Sequence, residues 1–399
     1  MGTVRWLMIP VSRFKYVFLS LLVILLALAG VIGGRAYYLV QHPKMLGVVP
    51  SMERTVPVSA STSLALSAPK PPMAAGSGVF DQIAAEVSGV YEQAAPTVVR
   101  LRATDGSEQL AGTGFFIDGQ GTILTAYAVV GQAESVSVEV NGRTFPAKIL
   151  GRDPRSGVAV LKINANQTPH LPLGEGMRLR PASAVVSVAF PYDLKAEPTF
   201  GFVAGFDVKY LTRFFATTHL RANLPIKPGQ IGGPLLDSQG KVVGMLMLEI
   251  DEGKACYALP IEAAAKVASD IQKYGEPRHG WMGVGVMPDR SRPERGAPVF
   301  VDRLYKGTPA EKSGLKMGDE VISIGNRPVR EPSDILDAAF FSEVGGKVPV
   351  KVKRDGKEQI FTITVSARPD SSRIVEPAPL FPNPSGGPAN QGMPVKANR

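Results

Sequence analysis

The chain has 399 residues, 44% of them hydrophobic and 20% charged, with a formal net charge of +9. That length suggests two folded domains plus connecting sequence, with ample chain for cores that need no staples; one cysteine, Cys256, excludes a disulfide framework and a cysteine-based zinc site. Residues 1–78 carry +6 and the chain from 367 onward +2, leaving +1 for 79–366, so the basic excess sits in the flanks and nucleic acid is excluded as a partner.

Residues 1–15 precede Tyr16–Gly34, an uncharged and mostly apolar run of 19 residues, near the ~20 that a helix needs to cross a bilayer core. We read 16–34 as a transmembrane anchor. Arg5, Arg13 and Lys15 precede it with no acid among them, which keeps the N-terminus cytoplasmic and everything downstream outside that membrane. The alternative is a cleaved signal peptide, for which Ala27-Leu28-Ala29 supplies a small-x-small site. The apolar run continues past that site, which favours the anchor. Residues 35–78, rich in Pro, Ser and Ala, read as a flexible linker, and 367–399, with seven prolines after Arg368, as a disordered tail.

Phe80–Ala94 has helical spacing at Ile83, Val87 and Val90, and Pro96 stops it. Short apolar runs separated by turn signals follow, at Val98–Leu101, Gly114–Ile117, Thr122–Leu124, Val136–Val140, Val158–Ile163, Ala184–Ala189, Val242–Leu248 and Ala255–Leu259. Asn141-Gly142 and Ser238-Gln239-Gly240 mark two of the turns. Strands this short and evenly spaced predict an all-β barrel or sandwich, closed by a helix at Ile261–Tyr274. From about Gly280 to Val365, strand-like runs at Pro298–Leu304, Glu320–Ile324, Val348–Val352 and Gln359–Val365 surround helical pieces at Thr308–Ser313 and Ser333–Ser342, with Ser333 as the expected N-cap. That is a small mixed α/β domain.

The order of motifs resembles the membrane-anchored HtrA (DegP/DegS-like) family of periplasmic serine proteases over about residues 79–366. Gly112-Thr113-Gly114-Phe115, Gly151-Arg152-Asp153, Val158-Ala159-Val160-Leu161, Gly232-Gly233-Pro234-Leu235 and Leu259-Pro260-Ile261 carry the resemblance in the first block. His279-Gly280-Trp281-Met282-Gly283-Val284, Gly307-Thr308-Pro309-Ala310 and Gly318-Asp319-Glu320-Val321-Ile322 carry it in the second. The resemblance implies a mainly β fold: a trypsin-like double β-barrel over 79–275, followed by one PDZ domain over 280–366. It also implies a bacterial inner-membrane protein with periplasmic domains.

The family's catalytic side chains do not carry over. Its Thr-Asn-x-His-Val-Val is Thr125-Ala126-Tyr127-Ala128-Val129-Val130 here, its acid position is Gly157, and its Gly-Asn-Ser-Gly-Gly-Pro is Gly229-Gln230-Ile231-Gly232-Gly233-Pro234. Alanine has no proton acceptor, glycine no carboxylate and isoleucine no nucleophile, and a serine protease needs all three. The N–H groups of Gly229 and Ile231 could still outline an oxyanion hole. The expectation is therefore a non-enzyme, a scaffold or regulator. The alternatives are an endopeptidase with a non-standard site, or a barrel reused for a metal or small ligand.

No cofactor is implied. His170 and His219 read as surface or structural histidines, two ligands being too few for a metal. In the second block, Trp281, Met282, Gly283 and Val284 correspond to the PDZ carboxylate loop, and Ile335 and Leu336 to the pocket wall. The implied partner is a polypeptide C-terminus added as a strand, alongside the membrane, an active paralogue or a second copy of the chain. Gly283→Val is expected to block that peptide without unfolding the domain.

Overall fold

The computed structural model describes residues 78–369 apart from 107, 212 and 290–295. The expected anchor at 16–34, the linker up to 77 and the tail beyond 369 lie outside the described residues, among which no helix is long and apolar enough to cross a membrane. Helix α1 (Val79–Ala94) leads into β1 (Val98–Asp105), β2 (Glu108–Phe116), β3 (Thr122–Ala126), a single-turn α2 (Tyr127–Val130), β4 (Ser135–Val140), β5 (Arg143–Asp153) and β6 (Val158–Lys162). These strands close into a barrel in the order β1-β2-β3-β6-β5-β4. A second barrel, β10-β11-β12-β9-β8-β7, is built from β7 (Ala184–Ala189), β8 (Glu197–Tyr210), β9 (Arg213–Ala222), β10 (Pro234–Leu236), β11 (Val242–Ile250) and β12 (Ala255–Pro260).

Each barrel has its own apolar core, around Leu101, Ile123 and Leu161 in the first and Leu220, Leu235 and Leu246 in the second. A third cluster lies between the barrels and includes α3 (Ile261–Tyr274). That helix buries Ile261, Ala264, Val267, Ala268 and Ile271, one stripe at helical spacing. Truncating Ile271 to alanine would cost about 2–5 kcal/mol, as for other buried aliphatic side chains.

The C-terminal domain pairs β13 (Gly280–Trp281) with β20 (Ser366–Ala367). Its main sheet runs β14 (Val284–Pro288), β15 (Val299–Leu304), β16 (Glu320–Ile324), β18 (Lys347–Arg354), β19 (Lys357–Thr364), with β17 (Arg327–Pro328) beside β16. The short α4 (Pro309–Lys312) and the longer α5 (Pro332–Phe341) pack on it. The cap of α5 differs from expectation: Glu331 is the N-cap and Pro332 opens the helix, with the Glu331 N–H donating to Asp334 Oδ2 at 3.0 Å. Proline at the first helical position loses no bond, which moves the start ahead of Ser333.

Asp337 of α5 ties this domain to the second barrel. Its buried carboxylate accepts the Thr217 hydroxyl at 2.5 Å, the Thr218 N–H at 2.8 Å and the Thr218 hydroxyl at 2.7 Å, all from β9. The expected mainly β fold with a small α/β domain is thus observed. Strands β5, β8 and β9 were not expected from the sequence, although Phe145, Ala147 and Ile149 in β5 and Phe200, Phe202, Phe206 and Val208 in β8 fall at every second position. The β8–β9 hairpin carries Leu211 and Phe214 out into solvent, so its apolar residues do not mark a single buried face.

Candidate functional site

The first site is the cleft between the barrels, where positions 128, 157 and 231 meet around the end of β3. Ala128 lies exposed on α2, and its neighbour Tyr127 donates its N–H to Gly157 O at 2.7 Å. Ile231 O accepts the Thr113 N–H at 3.1 Å, and Thr125 Oγ donates to Thr113 O at 2.8 Å. The Ile231 side chain is half-buried and packs against the cores of both barrels. Gly157 has φ +76, and a Cβ there would lie 2.4 Å from Met247 Cε, so an aspartate at 157 would need both a strained backbone and a displaced methionine. Thr113 Oγ donates to Gly229 O at 2.8 Å and accepts the Phe190 N–H at 3.1 Å. The N–H groups of Gly229 and Ile231 donate to no acceptor among the described residues.

Beside position 157 lies a cluster that sequence reasoning missed. Asp153 is buried; it accepts the Ser156 hydroxyl and, at 3.1 Å, the Arg155 N–H. His279 Nε2 stands 2.8 Å from Asp153 Oδ2, but off the hydrogen-bond angle, so the contact is an ion pair when the imidazole is charged. Burial pushes the Asp153 carboxyl up; His279, Ser156 and the Arg155 N–H outweigh it and hold the group below its ordinary value. Nothing in the sequence linked His279, at the domain junction, to Asp153.

The other described histidines, His170 and His219, stay apart. His219 stacks on Phe215 with ring centroids 4.0 Å apart, and burial pushes it down to about 4; the His170 ring faces Thr168 O in the loop after β6. Among the described residues no group of three or more His, Cys, Asp or Glu could hold a metal.

The second site is a groove of about 520 Å³ lined by all six residues singled out in sequence, Trp281, Met282, Gly283, Val284, Ile335 and Leu336. Edge strand β14 and helix α5 form its walls. The loop between β13 and β14 is held from behind, with Met282 O accepting the Ala310 N–H at 2.9 Å and Gly283 O the Tyr305 N–H at 3.1 Å. The Met282 and Gly283 N–H groups donate to no acceptor among the described residues. Met282 and Ile335 are also core residues, 2% and 5% exposed, so they floor the groove, while half-buried Trp281 and Leu336 border it. Gly283 has φ +74, and a Cβ would come within 2.3 Å of Thr308 Cβ. Gly283→Val would therefore strain the domain itself, which corrects the expectation of a clean block.

Two barrels flanking a cleft, with a peptide-groove domain docked on the second, define a trypsin-like protein with a C-terminal PDZ domain. Residues 112–245 match the trypsin-like peptidase domain family and residues 280–365 the PDZ domain family. A probable periplasmic serine endoprotease, DegP-like, of Pseudomonas fluorescens is 30% identical over 282 residues, covering 68% of this chain and 59% of that protein. The protein of the same description from Marinomonas is 28% identical over 281 residues, covering 68% and 60%. The chain thus spans about three-fifths of the length of these relatives.

Among solved structures, the HtrA-type protease AlgW with tripeptide shares the fold at a TM-score of 0.61 and 24% identity, covering 72% of this chain and 99% of that one. The serine endoprotease from Yersinia pestis does so at 0.53 and 24%, covering 71% and 98%. The chain belongs to the HtrA family.

These comparisons correct the expectation of a non-enzyme. The relatives are named serine endoproteases, and the peptidase-domain match runs through positions 128, 157 and 231. The physical reason is that hydrolysis needs a nucleophile, a base and oxyanion donors in the cleft, and these are recognised by geometry and role rather than by sequence position.

Proposed function

We propose that this chain is a periplasmic HtrA-type protein, tethered through residues 16–34, whose PDZ groove captures the free C-terminus of a polypeptide and holds it beside the second barrel. The groove carries the reading: among the described residues the Met282 and Gly283 N–H groups have no acceptor and edge strand β14 has no strand on its outer side, and Ile335 and Leu336 wall the same cavity. A peptide adding to β14 gains main-chain hydrogen bonds, and its last side chain gains the apolar wall. The periplasmic location is supported by the names of the relatives.

A second reading, hydrolysis of the captured polypeptide, is supported by the same names and by the peptidase-domain match. Such hydrolysis would draw its nucleophile and base from groups other than the side chains at 128, 157 and 231, with the Gly229 and Ile231 N–H groups as oxyanion donors. Both readings are tested on the intact chain. A peptide with a free apolar C-terminus should bind with about micromolar affinity, and amidation should weaken it by about 1.5–3 kcal/mol, the worth of a hydrogen bond to a charged group. Equal titration of free and amidated peptides would contradict the capture reading. Failure to cleave an unfolded polypeptide together with failure to react with a fluorophosphonate would contradict the hydrolysis reading.

A further inference from the structure

The groove has a charge pattern that peptide capture alone does not require. Three arginines line it, Arg155, Arg303 and Arg368, and among the described residues no aspartate or glutamate does. Arg303 has an acid close by, with its Nε 3.4 Å from Asp302 Oδ2. Arg155 and Arg368 make no ion pair within 4 Å among the described residues. They reach the groove from different parts of the fold: Arg155 sits in the turn between β5 and β6 of the first barrel, and Arg368 follows β20, its N–H donating to His279 O at 3.0 Å.

Asp153, whose charge acts on Arg155, is already engaged by Ser156, by His279 and by the Arg155 backbone N–H. Desolvation pulls Arg155 down to about 10 although the residue keeps part of its surface in solvent; the Arg368 charge adds to this and Asp153 opposes it. Desolvation lowers Arg368 as well. Two like charges held in a partly desolvated groove whose described lining holds no carboxylate are unfavourable until an anion enters. Guanidinium is the group best shaped to meet a carboxylate with two parallel hydrogen bonds.

We propose that Arg155 and Arg368 form an anion subsite of the peptide groove, so that the preferred ligand is a polypeptide C-terminus bearing an acidic side chain in its last few residues, in addition to its terminal carboxylate. The inference rests on the groove being a C-terminus reader and adds to that reading a specificity for charge. Because Arg155 belongs to the first barrel, an acidic ligand also touches both folded units and bridges them.

The test uses the full chain and four synthetic decapeptides, ending in Glu-Ile-Val or Gln-Ile-Val, each with a free or an amidated C-terminus, together with a decapeptide ending in Lys-Ile-Val with a free C-terminus for the charge-reversal variant. The Glu peptide with a free terminus is expected to bind about tenfold more tightly than its Gln counterpart, and the advantage should shrink as salt is raised. The double variant Arg155→Gln/Arg368→Gln should bring the Glu peptide down to the affinity of the Gln peptide. Arg155→Glu should invert the preference toward a Lys-Ile-Val ending, a gain that a misfolded protein could not show. Equal affinity for the Glu and Gln peptides, with amidation still harmful, would overturn the charge subsite and leave C-terminus capture standing. A Glu advantage that survives the double variant would place the anion site elsewhere and overturn the assignment. Absence of binding by all four peptides would overturn both.

Discussion

Replacing Asp337 with alanine should loosen the PDZ domain from the second barrel. The carboxylate accepts three hydrogen bonds from Thr217 and Thr218, at 2.5, 2.8 and 2.7 Å, and alanine leaves a backbone N–H and two hydroxyls in a buried seam with no acceptor. Each orphaned group costs about 1–3 kcal/mol. Against this, the variant is relieved of burying a carboxylate, a cost visible in the raised pKa of Asp337, where desolvation outweighs the help from Thr217 and Thr218. The balance is a loss of about 2–4 kcal/mol. The Thr218 amide reports it directly, because its hydrogen bond crosses the seam. Its exchange protection should fall by about 30- to 1,000-fold at 1.4 kcal/mol per factor of ten. Asp337→Asn keeps an acceptor for the Thr218 N–H and should lose much less. Unchanged protection of the Thr218 amide in Asp337→Ala would refute the reasoning, showing that the seam is held by other contacts.

Two further outcomes follow from buried groups. Asp153 is held below its ordinary value in the folded chain, so it contributes stability above the unfolded carboxylate value of 3.8 that is lost as pH falls through its folded value; Asp153→Asn should lower the melting temperature at neutral pH and flatten the acid limb of a melting-temperature profile. Gly283→Ala, with φ +74 and a Cβ 2.3 Å from Thr308 Cβ, should cost at least about 1–3 kcal/mol of PDZ-domain stability in a denaturant titration, and a wild-type midpoint would contradict the loop geometry.

The elements readable in sequence are those whose own residues carry the pattern. Helix α3 spans Ile261–Tyr274 as expected because Pro260 and Gly275 bracket one apolar stripe. The first-barrel strand β6 was readable because its residues are almost wholly buried and apolar. Strand β5 was not, since it mixes Lys148, Arg152 and Pro146 along a mostly half-exposed ribbon, and the β8–β9 hairpin turns at Leu211, which has φ +52 without the usual glycine or asparagine. The groove residues from Trp281 to Val284 were legible through the resemblance of His279–Val284 to the PDZ carboxylate loop. Contacts between distant segments were not. His279 against Asp153, Asp337 against Thr217 and Thr218, and Arg155 with Arg368 at one groove exist only once the PDZ domain docks on the barrels, and no local periodicity encodes that docking.

The central claim, that the groove reads a free C-terminus, is tested most directly by the emission of Trp281. The chain has two tryptophans, so a Trp6→Phe variant leaves Trp281, at the groove and 5.8 Å from Tyr305 between ring centroids, as the single reporter. A peptide with a free apolar C-terminus should shift the Trp281 emission saturably at about micromolar concentration, and the amidated peptide should require roughly ten- to a hundredfold more. Identical titrations for the two peptides, or no change in emission at millimolar peptide, would contradict the account.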